Sequence, residues 1–264
     1  MEDIVIGLVL AQLLLLPLAY KWELNLKGVL IGALIIGILV GLTISIISSY
    51  FDMNLLSKVI SCSILIILTS LSALAVRFYR DPDRVSPEGE NIILAPADGT
   101  IKYIKHIEKG NIPFSAKGRE KMKLSKPLTD ILRNEQGYLI AIGMSYLDVH
   151  ITRAPIKGKL VYFKHIPGSF SSLKEETAPY RNERLIEIIE NDKCKVGLIQ
   201  IASRLVRRIV AYVAEGDELA LGQKIGMIKF GSQVDVVLPK LQDTKIKVGI
   251  GQQVYAGISI IAEI

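Results

Sequence analysis

Cysteine, tryptophan and histidine are scarce in this chain of 264 residues, which contains two, one and three of them respectively. So few cysteines argue against a disulfide framework, and Cys62 and Cys194 both stand in apolar segments where neither is a candidate nucleophile. The chain also lacks a basic stripe interleaved with aromatic residues, which argues against a nucleic-acid partner. The three histidines, His106, His150 and His165, leave few candidates for a general base near neutral pH.

Charged residues are missing from three N-terminal stretches, residues 4 to 20, 28 to 50 and 59 to 76. As helices, these stretches would be about 25 to 35 Å long, close to the hydrocarbon thickness of a bilayer. The sequence therefore predicts a membrane anchor over residues 1 to 77 with three transmembrane helices. The second stretch contains two pairs of glycines four residues apart, a spacing that favours close helix contact: Gly28 with Gly32, and Gly37 with Gly41.

The formal net charge of +6 belongs to the remainder of the chain, because residues 1 to 77 contain four basic and four acidic side chains. An anionic membrane surface is the natural counterpart of that charge. The acidic Glu2 and Asp3 do not form the basic leader of a signal peptide. Basic residues beside the spans favour an external N-terminus. We therefore predict a multi-pass protein of the cell membrane, with everything after Arg77 in the cytoplasm.

Beyond Pro87 the apolar residues occur in short runs separated by glycine and proline, a pattern typical of a mostly β domain. Nine strands are predicted, at residues 92 to 94, 100 to 104, 138 to 142, 159 to 164, 185 to 189, 196 to 201, 206 to 213, 224 to 230 and 233 to 238. A charged insert at residues 108 to 136 has a helical pattern only from 128 to 133. We interpret it as a solvated surface excursion, with a lid as the alternative.

A pattern of glycines and apolar residues occurs twice near the C-terminus. Val213, Gly216, Asp217, Leu219, Gly222 and Ile225 are matched by Val248, Gly251, Gln252, Val254, Gly257 and Ile260, each displaced by 35 residues. The pattern resembles the half-repeats of lipoyl- and biotinyl-type barrel-sandwich domains. The predicted fold is therefore a set of transmembrane α-helices followed by a mostly β (α+β) domain with a barrel-sandwich C-terminal portion.

Between the two copies lies the dipeptide Gly231-Ser232, inside an apolar run. A serine hydroxyl can attack the carbonyl before it and convert the amide to an ester. β-Elimination then leaves a dehydroalanine that hydrolyses to a pyruvoyl group. Glycine in front removes the side chain that would block this attack. By itself the dipeptide is more typical of a hairpin corner or a bulge than of self-cleavage, so both interpretations stay open at this point.

Residues 78 to 264 resemble the phosphatidylserine decarboxylase family, in particular its short form and the archaetidylserine decarboxylases of archaea. The resemblance rests on nine segments in order: FYRDPDR at 78 to 84, PADG at 96 to 99, LDVH at 147 to 150, RAP at 153 to 155, PG at 167 to 168, NER at 182 to 184, QIA at 200 to 202, RRIV at 207 to 210 and FGS at 230 to 232. These segments cover nearly all of the second part of the chain except the insert.

The resemblance implies a proenzyme that cuts itself between Gly231 and Ser232. The products would be a membrane-bound β chain of residues 1 to 231 and an α chain of residues 232 to 264, which stay together as a heterodimer. Ser232 would become a pyruvoyl group, whose carbonyl condenses with a substrate amine and accepts the electrons released as carbon dioxide leaves. No metal is implied. The reaction would convert a serine-headgroup phospholipid to its ethanolamine form.

The resemblance also implies roles for individual residues. Asp98 and His150 would activate Ser232, since a serine is a poor nucleophile until an oriented base accepts its proton. Without the resemblance, Asp98 is better explained as a turn-capping residue. Longer members of the family have a second histidine where this chain has Arg153. Short members commonly have arginine there, so His150 would have to serve both self-cleavage and turnover.

Four residues are candidates for binding the substrate: Arg80, Arg84, Arg153 and His165. Arg80 and Arg84 could fix the orientation of the adjacent membrane span, or a guanidinium could grip the lipid phosphate bidentately. For His165, beside a predicted turn, a structural role is an equal alternative.

The sequence leaves two further choices open. A non-enzymatic membrane adaptor or transport-assembly subunit with a barrel-sandwich domain would explain the spans and the glycine repeat, but it would leave Asp98, His150 and Ser232 unconnected. Among lipids, the substrate could be ester-linked phosphatidylserine or ether-linked archaetidylserine. The many isoleucines and lysines and the short set of motifs favour archaetidylserine.

Overall fold

A computed structural model describes most of the chain, as two compact units. The described residues are 1–22, 24–89, 91–108, 111–113, 121–123, 126–132, 136–169, 181–202, 208–229 and 232–264. The first unit contains residues 1–80 with 145–147, and the second contains residues 81–144 with 148–264.

The first unit is built on three helices, α1 (Glu2–Lys21), α2 (Leu26–Tyr50) and α3 (Leu55–Phe78). Asn25 caps α2 and Asn54 caps α3, in each case by accepting hydrogen bonds from backbone N–H groups of the first turn. The predicted spans are confirmed as three helices long and apolar enough to cross a membrane.

Helices α1 and α2 pack through glycine. A methyl group on Gly7 would meet the carbonyl oxygen of Gly37, and a methyl group on Gly41 would meet the backbone of α1. The backbones can approach this closely because these positions have no side chain. One predicted pair, Gly37 with Gly41, therefore lies at a helix contact. The pair Gly28 and Gly32 does not, since a methyl group on Gly32 would meet nothing within 4 Å.

The second unit is mostly β, as predicted. Its strands are β1 (Ile92–Leu94), β2 (Gly99–Ile107), β3 (Asn111–Pro113), β4 (Lys121–Lys123), β5 (Gly137–Met144), β6 (Ile151–Arg153), β7 (Gly158–Ile166), β8 (Arg184–Glu190), β9 (Lys195–Ala202), β10 (Arg208–Ala211), β11 (Glu218–Leu219), β12 (Lys224–Lys229), β13 (Ser232–Pro239), β14 (Lys245–Ile246), β15 (Gln253–Val254) and β16 (Ile260–Glu263), with a short helix, α4 (Lys126–Thr129), before β5. All nine predicted strands are present in the described residues, with shifted ends. Residues 206, 207 and 230 of two predicted strands lie outside the described residues.

The largest sheet has eight strands in the order β11-β7-β8-β9-β13-β5-β2-β15. Strand β13 lies near its middle and pairs antiparallel with β5 on one side and β9 on the other. Val234, Val236 and Leu238 of β13 point into the main apolar core, and Val237 points to the opposite face. These alternating side chains make β13 a strand that is buried on both faces.

Part of the 108 to 136 insert covers that opposite face, so its interpretation as a solvated excursion is wrong for this part. Leu128, Ile131 and Leu132 are 2%, 4% and 8% exposed and pack against Val237. Their spacing places three apolar side chains on one side of α4 and the turn after it, and burying them outweighs the charge of the surrounding insert. Residues 109–110, 114–120, 124–125 and 133–135 of the insert lie outside the described residues.

The repeat displaced by 35 residues is a repeated turn. Gly216 and Gly222 have φ angles of 101° and 73°, and their counterparts Gly251 and Gly257 have φ angles of 85° and 71°. Such angles are strained for other residues, which explains why glycine stands at these four positions. Each copy then continues into a short strand, β11 in the first and β15 in the second.

Candidate active site

Ser232 is the first residue of β13. Its backbone lies between Met144, the last residue of β5, and Ala202, the last residue of β9. Gly231 and the side chain of Ser232 lie outside the described residues. The predicted scissile bond therefore immediately precedes a strand that is paired on both sides from its first residue.

Asp98 stands immediately before β2 and is 2% exposed. Arg84 donates two parallel hydrogen bonds to its carboxylate, from Nη1 to Oδ1 at 2.5 Å and from Nη2 to Oδ2 at 2.8 Å. The backbone N–H of Ala256 donates a further bond to Oδ1 at 2.8 Å, and Arg84 Nη1 also donates to the carbonyl of Ala256. A bidentate, charge-assisted pair of this kind fixes both the position and the plane of a carboxylate.

His150 is fully buried just before β6. Its Nδ1 lies 2.9 Å from the carbonyl oxygen of Asp148. A carbonyl oxygen can only accept a hydrogen bond, so Nδ1 carries a proton, and the neutral form of the ring would have its lone pair on Nε2. The backbone of His150 is fixed as well, because the N–H of Ile228 in β12 donates to its carbonyl at 3.1 Å.

The sheet register brings Ser232 and Asp98 to one end of the eight-stranded sheet. Thr100, Gly143 and Gln233 form a row across β2, β5 and β13, so Asp98 lies just beyond the row that contains Ser232. Adjacent strands are about 4.8 Å apart, which places the backbones of β2 and β13 about 10 Å from each other. His150 precedes β6 of a separate three-stranded sheet, and its carbonyl accepts from the N–H of Ile228, four residues before Ser232 in the sequence.

Arg153 ends β6 and is 5% exposed. Its guanidinium donates to the carbonyl oxygens of Gly222 at 3.1 Å and Pro82 at 3.3 Å, and it lies 3.6 Å from Asp81. Burial, and then the nearby charge of Arg84, lowers the pKa of Arg153, although acidic neighbours oppose this shift. Arg153 therefore ties the segment that carries Arg84 to β6.

The other two substrate-binding candidates differ in their surroundings. Arg80 belongs to the first unit, where its Nη1 donates to the carbonyl oxygens of Arg77 and Leu147, both at 2.9 Å. His165, near the end of β7, has a half-exposed ring whose Nε2 lies 2.8 Å from Glu183 Oε1. Both arginine contacts are to main-chain carbonyls, whereas His165 presents part of its ring to solvent.

Sequence reasoning quoted Asn182 and Glu183 only as part of a motif, and it assigned them no role. Asn182 is fully buried, and its Nδ2 donates to the carbonyl of Ala202 at 2.9 Å. The carbonyl of Glu183 accepts from the N–H of Ala202 at 3.0 Å. Since Ala202 pairs with Ser232, these two residues hold the strand end that flanks the predicted cleavage site.

Two buried carboxylic acids nearby were missed altogether. Burial raises the pKa of Asp235 to about 6, although hydrogen bonds from Gln233 and Tyr103 oppose the shift. Burial also raises the pKa of Glu187, in β8, to about 7, and its Oε2 accepts from Gln200 Nε2 at 2.5 Å. Neither acid follows from a motif or a spacing. Asp235 lies three residues beyond Ser232 in β13, whereas Glu187 lies two strands away, in the row of Leu198 and Val236.

The candidate site thus contains a buried carboxylate, Asp98, a buried imidazole, His150, and a serine, Ser232, at the start of a central strand. This set of groups is typical of an enzyme. A model of the family described as phosphatidylserine decarboxylase matches residues 71–262. The chain belongs to that family, and it is a carboxy-lyase that acts on the serine headgroup of a phospholipid. This excludes the non-enzymatic adaptor as its function.

Three relatives share the greater part of the chain. A Methanocaldococcus jannaschii protein named as an archaetidylserine decarboxylase proenzyme is 46% identical over 198 residues, which are 75% of this chain and 93% of the relative. A Methanothermobacter thermautotrophicus protein named in the same way is 37% identical over 75% of this chain and 83% of its own length. The phosphatidylserine decarboxylase proenzyme of Ehrlichia canis is 38% identical over 77% of this chain and 81% of its own length.

Proposed function

We propose that this chain is a proenzyme that cuts itself between Gly231 and Ser232 and then uses the pyruvoyl group formed from Ser232 to decarboxylate a serine-headgroup lipid. The observation that carries the proposal is that Ser232 begins a central strand at the sheet end where Asp98 stands, while His150 is bonded to β12, the strand that precedes Ser232 in the sequence. The relatives' names describe proenzymes, which also supports self-cleavage.

In the proposed self-cleavage, Ser232 Oγ attacks the carbonyl carbon of Gly231, and the bond to the amide nitrogen of Ser232 breaks to leave an ester. His150 Nε2 accepts the hydroxyl proton, in keeping with the tautomer that Asp148 fixes. Elimination then releases the carboxylate of Gly231 and leaves a dehydroalanine at 232. Hydrolysis of this residue consumes one water, releases one ammonia and produces the ketone.

Asp98 would supply a fixed negative charge beside these steps, stabilising His150 once it is protonated. Arg84 is then a positioning residue, since its guanidinium is already bidentate to Asp98. This arrangement supports a role within the protein for Arg84 rather than the alternative role in phosphate binding. Arg80 and Arg153 both donate to main-chain carbonyls, so His165, whose ring is half exposed, is the candidate that we retain for contact with the lipid headgroup.

The residues at the sheet end fit a pyruvoyl group. It would begin a chain whose next residues are hydrogen-bonded on both sides, so the new terminus would be held in place. When present, the group supplies the electron-accepting carbonyl for loss of carbon dioxide. The protein would orient the headgroup and exclude water, while buried polar groups around Ala202 and Asp98 keep the strand ends fixed.

We further propose archaetidylserine as the lipid, because two of the relatives carry that name, with phosphatidylserine as the alternative. The three apolar helices would cross the cell membrane. The second unit would then lie on the cytoplasmic side, where its positive net charge meets anionic lipid. The two cleavage products would remain together as a heterodimer. The repeated glycine turns support a barrel-sandwich arrangement of the C-terminal portion.

Denaturing electrophoresis and intact mass of the purified full chain test this proposal. We expect a small fragment of residues 232 to 264 with a blocked N-terminus, and release of carbon dioxide from a serine-headgroup lipid in mixed micelles. Ser232→Ala should abolish both, because it removes the attacking hydroxyl. His150→Asn should abolish cleavage. His106→Asn should be cut normally, because His106 lies near the other end of β2 from Asp98.

An intact chain in native material, or cleavage that persists in Ser232→Ala, would overturn the proposal. Ether-linked and ester-linked serine lipids, compared in the same assay, decide between the two substrates.

A further inference from the structure

Close to the predicted cleavage site, the side chains of Tyr103, Gln233 and Asp235 form a closed triangle of hydrogen bonds. Gln233 Nε2 donates to Asp235 Oδ1 at 2.6 Å and to Tyr103 Oη at 3.0 Å, and Tyr103 Oη donates to Asp235 Oδ2 at 2.9 Å. Gln233 and Asp235 are 5% and 3% exposed. Buried polar groups are costly unless they are satisfied, so all three side chains are strongly held in this arrangement.

The triangle links two strands that are not neighbours. Tyr103 is on β2 and the other two residues are on β13, with β5 between them, a separation of about 10 Å. The residues of β5 beneath the triangle are Ala141, which pairs with Tyr103 and Asp235, and Gly143, which pairs with Gln233. Because Ala141 is small, the tyrosine ring can reach across the middle strand, whereas the side chain of Lys102 lies over Gly143.

The triangle includes the residue that follows Ser232. Gln233 and Asp235 alternate along β13 with Val234 and Val236, which point into the main apolar core, so the triangle lies on the opposite face. After cleavage, Gln233 would be the second residue of the new chain, and chain ends fray unless they are tied down.

We propose that Tyr103, Gln233 and Asp235 are positioning residues that hold the newly cut end of β13 in register with β5 and so fix the pyruvoyl group in the site. The inference rests on the proposed self-cleavage and goes beyond it, because it assigns these residues to the mature enzyme. Before cleavage the chain is held on both sides of Ser232, so the triangle matters little for the cut. After cleavage it is the side-chain restraint nearest to the free end among the described residues.

The test is Tyr103→Phe, which removes only the hydroxyl that joins the triangle. We expect complete cleavage, kcat lowered by about tenfold and KM within about twofold of the original value, since misplacing a reacting group lowers the rate more than it lowers binding. Hydrogen–deuterium exchange of the amides of residues 233 to 235 in the mature protein should become faster by about tenfold. Gln233→Leu should act in the same direction on both readouts.

Tyr162→Phe is the matched control. Tyr162 lies on the same face of the same sheet, in β7, and is likewise half-buried. Its loss of a hydroxyl should leave kcat and the exchange of β13 unchanged.

Normal kcat and normal exchange in Tyr103→Phe would overturn the inference. So would an effect of equal size in Tyr162→Phe. If Tyr103→Phe fails to cleave while the original chain is cut, the triangle acts before cleavage and the inference as stated is wrong. If the original chain itself is uncut, the proposed function fails instead, so the two failures are distinguishable.

Discussion

The second unit contains one arrangement of strand and turn twice, and only the first copy contains Asp98 of the candidate site. Residues 95 to 101 read APADGTI and residues 154 to 160 read APIKGKL. Each segment pairs with one of the repeated glycine turns through the same backbone hydrogen bond, from Gly251 to the carbonyl of Ile101 at 2.8 Å and from Gly216 to the carbonyl of Leu160 at 2.7 Å. Both continue into a strand with a bulge at the same relative position.

The two copies differ in the residue before the first glycine of the strand. In the first copy this is Asp98, which is buried and paired with Arg84. In the second it is Lys157, which is exposed and lines an open cavity of about 580 Å³. Two equivalent segments therefore carry a buried acid in one place and a solvated base in the other. The comparison teaches that the repeated scaffold does not define the site, which depends on a few side chains placed upon it.

The two copies also differ just beyond the bulge that each strand contains. Tyr103 and Tyr162 occupy equivalent positions, but Tyr103 pairs with Ala141 whereas Tyr162 pairs with Ile188. Beyond those partners the first copy has Asp235 and the second has Gly197. Only the first copy therefore has both the space and the acid that let a tyrosine hydroxyl bind across a strand.

The largest expected effect comes from breaking the ion pair that is particular to the first copy. Arg84→Met should lower the free energy of unfolding by about 3 to 5 kcal/mol, because it leaves the carboxylate of Asp98 buried without its partner. It should also prevent cleavage. Thermal unfolding in detergent, in the Ser232→Ala background, measures the first effect, and electrophoresis of the single variant measures the second.

Two further variants separate the effect of the buried Asp98 charge on stability from its effect on cleavage. Adding Asp98→Asn to Arg84→Met removes the orphaned charge, so most of the stability should return while the chain stays uncut. Lys157→Met, at the equivalent position of the second copy, should change stability by less than about 0.5 kcal/mol. Normal cleavage in Arg84→Met would contradict the importance that we attach to the pair.

The second prediction concerns a buried acid that has no such partner. Glu187 is fully buried, and among the described residues its Oε1 has no hydrogen-bond partner. Burial raises its pKa from the ordinary 4.5 to about 7. Between these values the unfolded chain loses the proton while the folded chain keeps it, so the stability that this group contributes at low pH is lost as pH rises through 7.

Glu187→Gln should therefore stabilise the protein at pH 8 by about 3 kcal/mol and leave it unchanged below pH 4.5, since glutamine cannot ionise. Unfolding temperatures at both pH values in the Ser232→Ala background provide the measurement. Glu190→Gln, partly exposed at the end of the same strand, is the control and should show little dependence on pH. Equal gains at both pH values would show that the charge of Glu187 is not the cause.

Much of the fold follows from the sequence, because apolar runs without charge can only be membrane helices or buried strands. The three helices and nine strands were predicted on that basis, and so was the glycine turn that occurs twice. Strands such as β11, β14 and β15 were not predicted, since two residues are too few to show alternation. The burial of Leu128 was also missed, because the charges of the insert dominate its composition.

The candidate site could be predicted only as far as motifs extend. Asp98, His150 and Ser232 each stand in a recognisable segment, and the sheet register places the segments of Asp98 and Ser232 at one end. The pairing of Arg84 with Asp98 and the contact of Tyr103 with Asp235 join residues far apart in the chain. Such contacts depend on strand order and on small residues such as Ala141, and neither leaves a local pattern in the sequence.

The smallest effect on stability should come from replacing two matched glycines, Gly99 and Gly158. This pair compares a strand that adjoins the candidate site with an equivalent strand that does not. A methyl group on Gly99 would meet the carbonyl of Gly143, and a methyl group on Gly158 would meet the carbonyl of Glu190. Gly99→Ala and Gly158→Ala should each cost about 1 to 3 kcal/mol, with the larger loss at Gly99, where φ is 153°.

Cleavage should distinguish the two variants even though their stabilities are similar. Gly99 adjoins Asp98, so pushing β2 away from β5 moves the carboxylate relative to Ser232, and cleavage should slow by about tenfold or more. Gly158 adjoins Lys157, and its displacement leaves that sheet end untouched. Pulse-labelled chains followed by electrophoresis measure the rate of cleavage. Equal slowing in both variants would mean that general stability, and not the placement of Asp98, limits the cut.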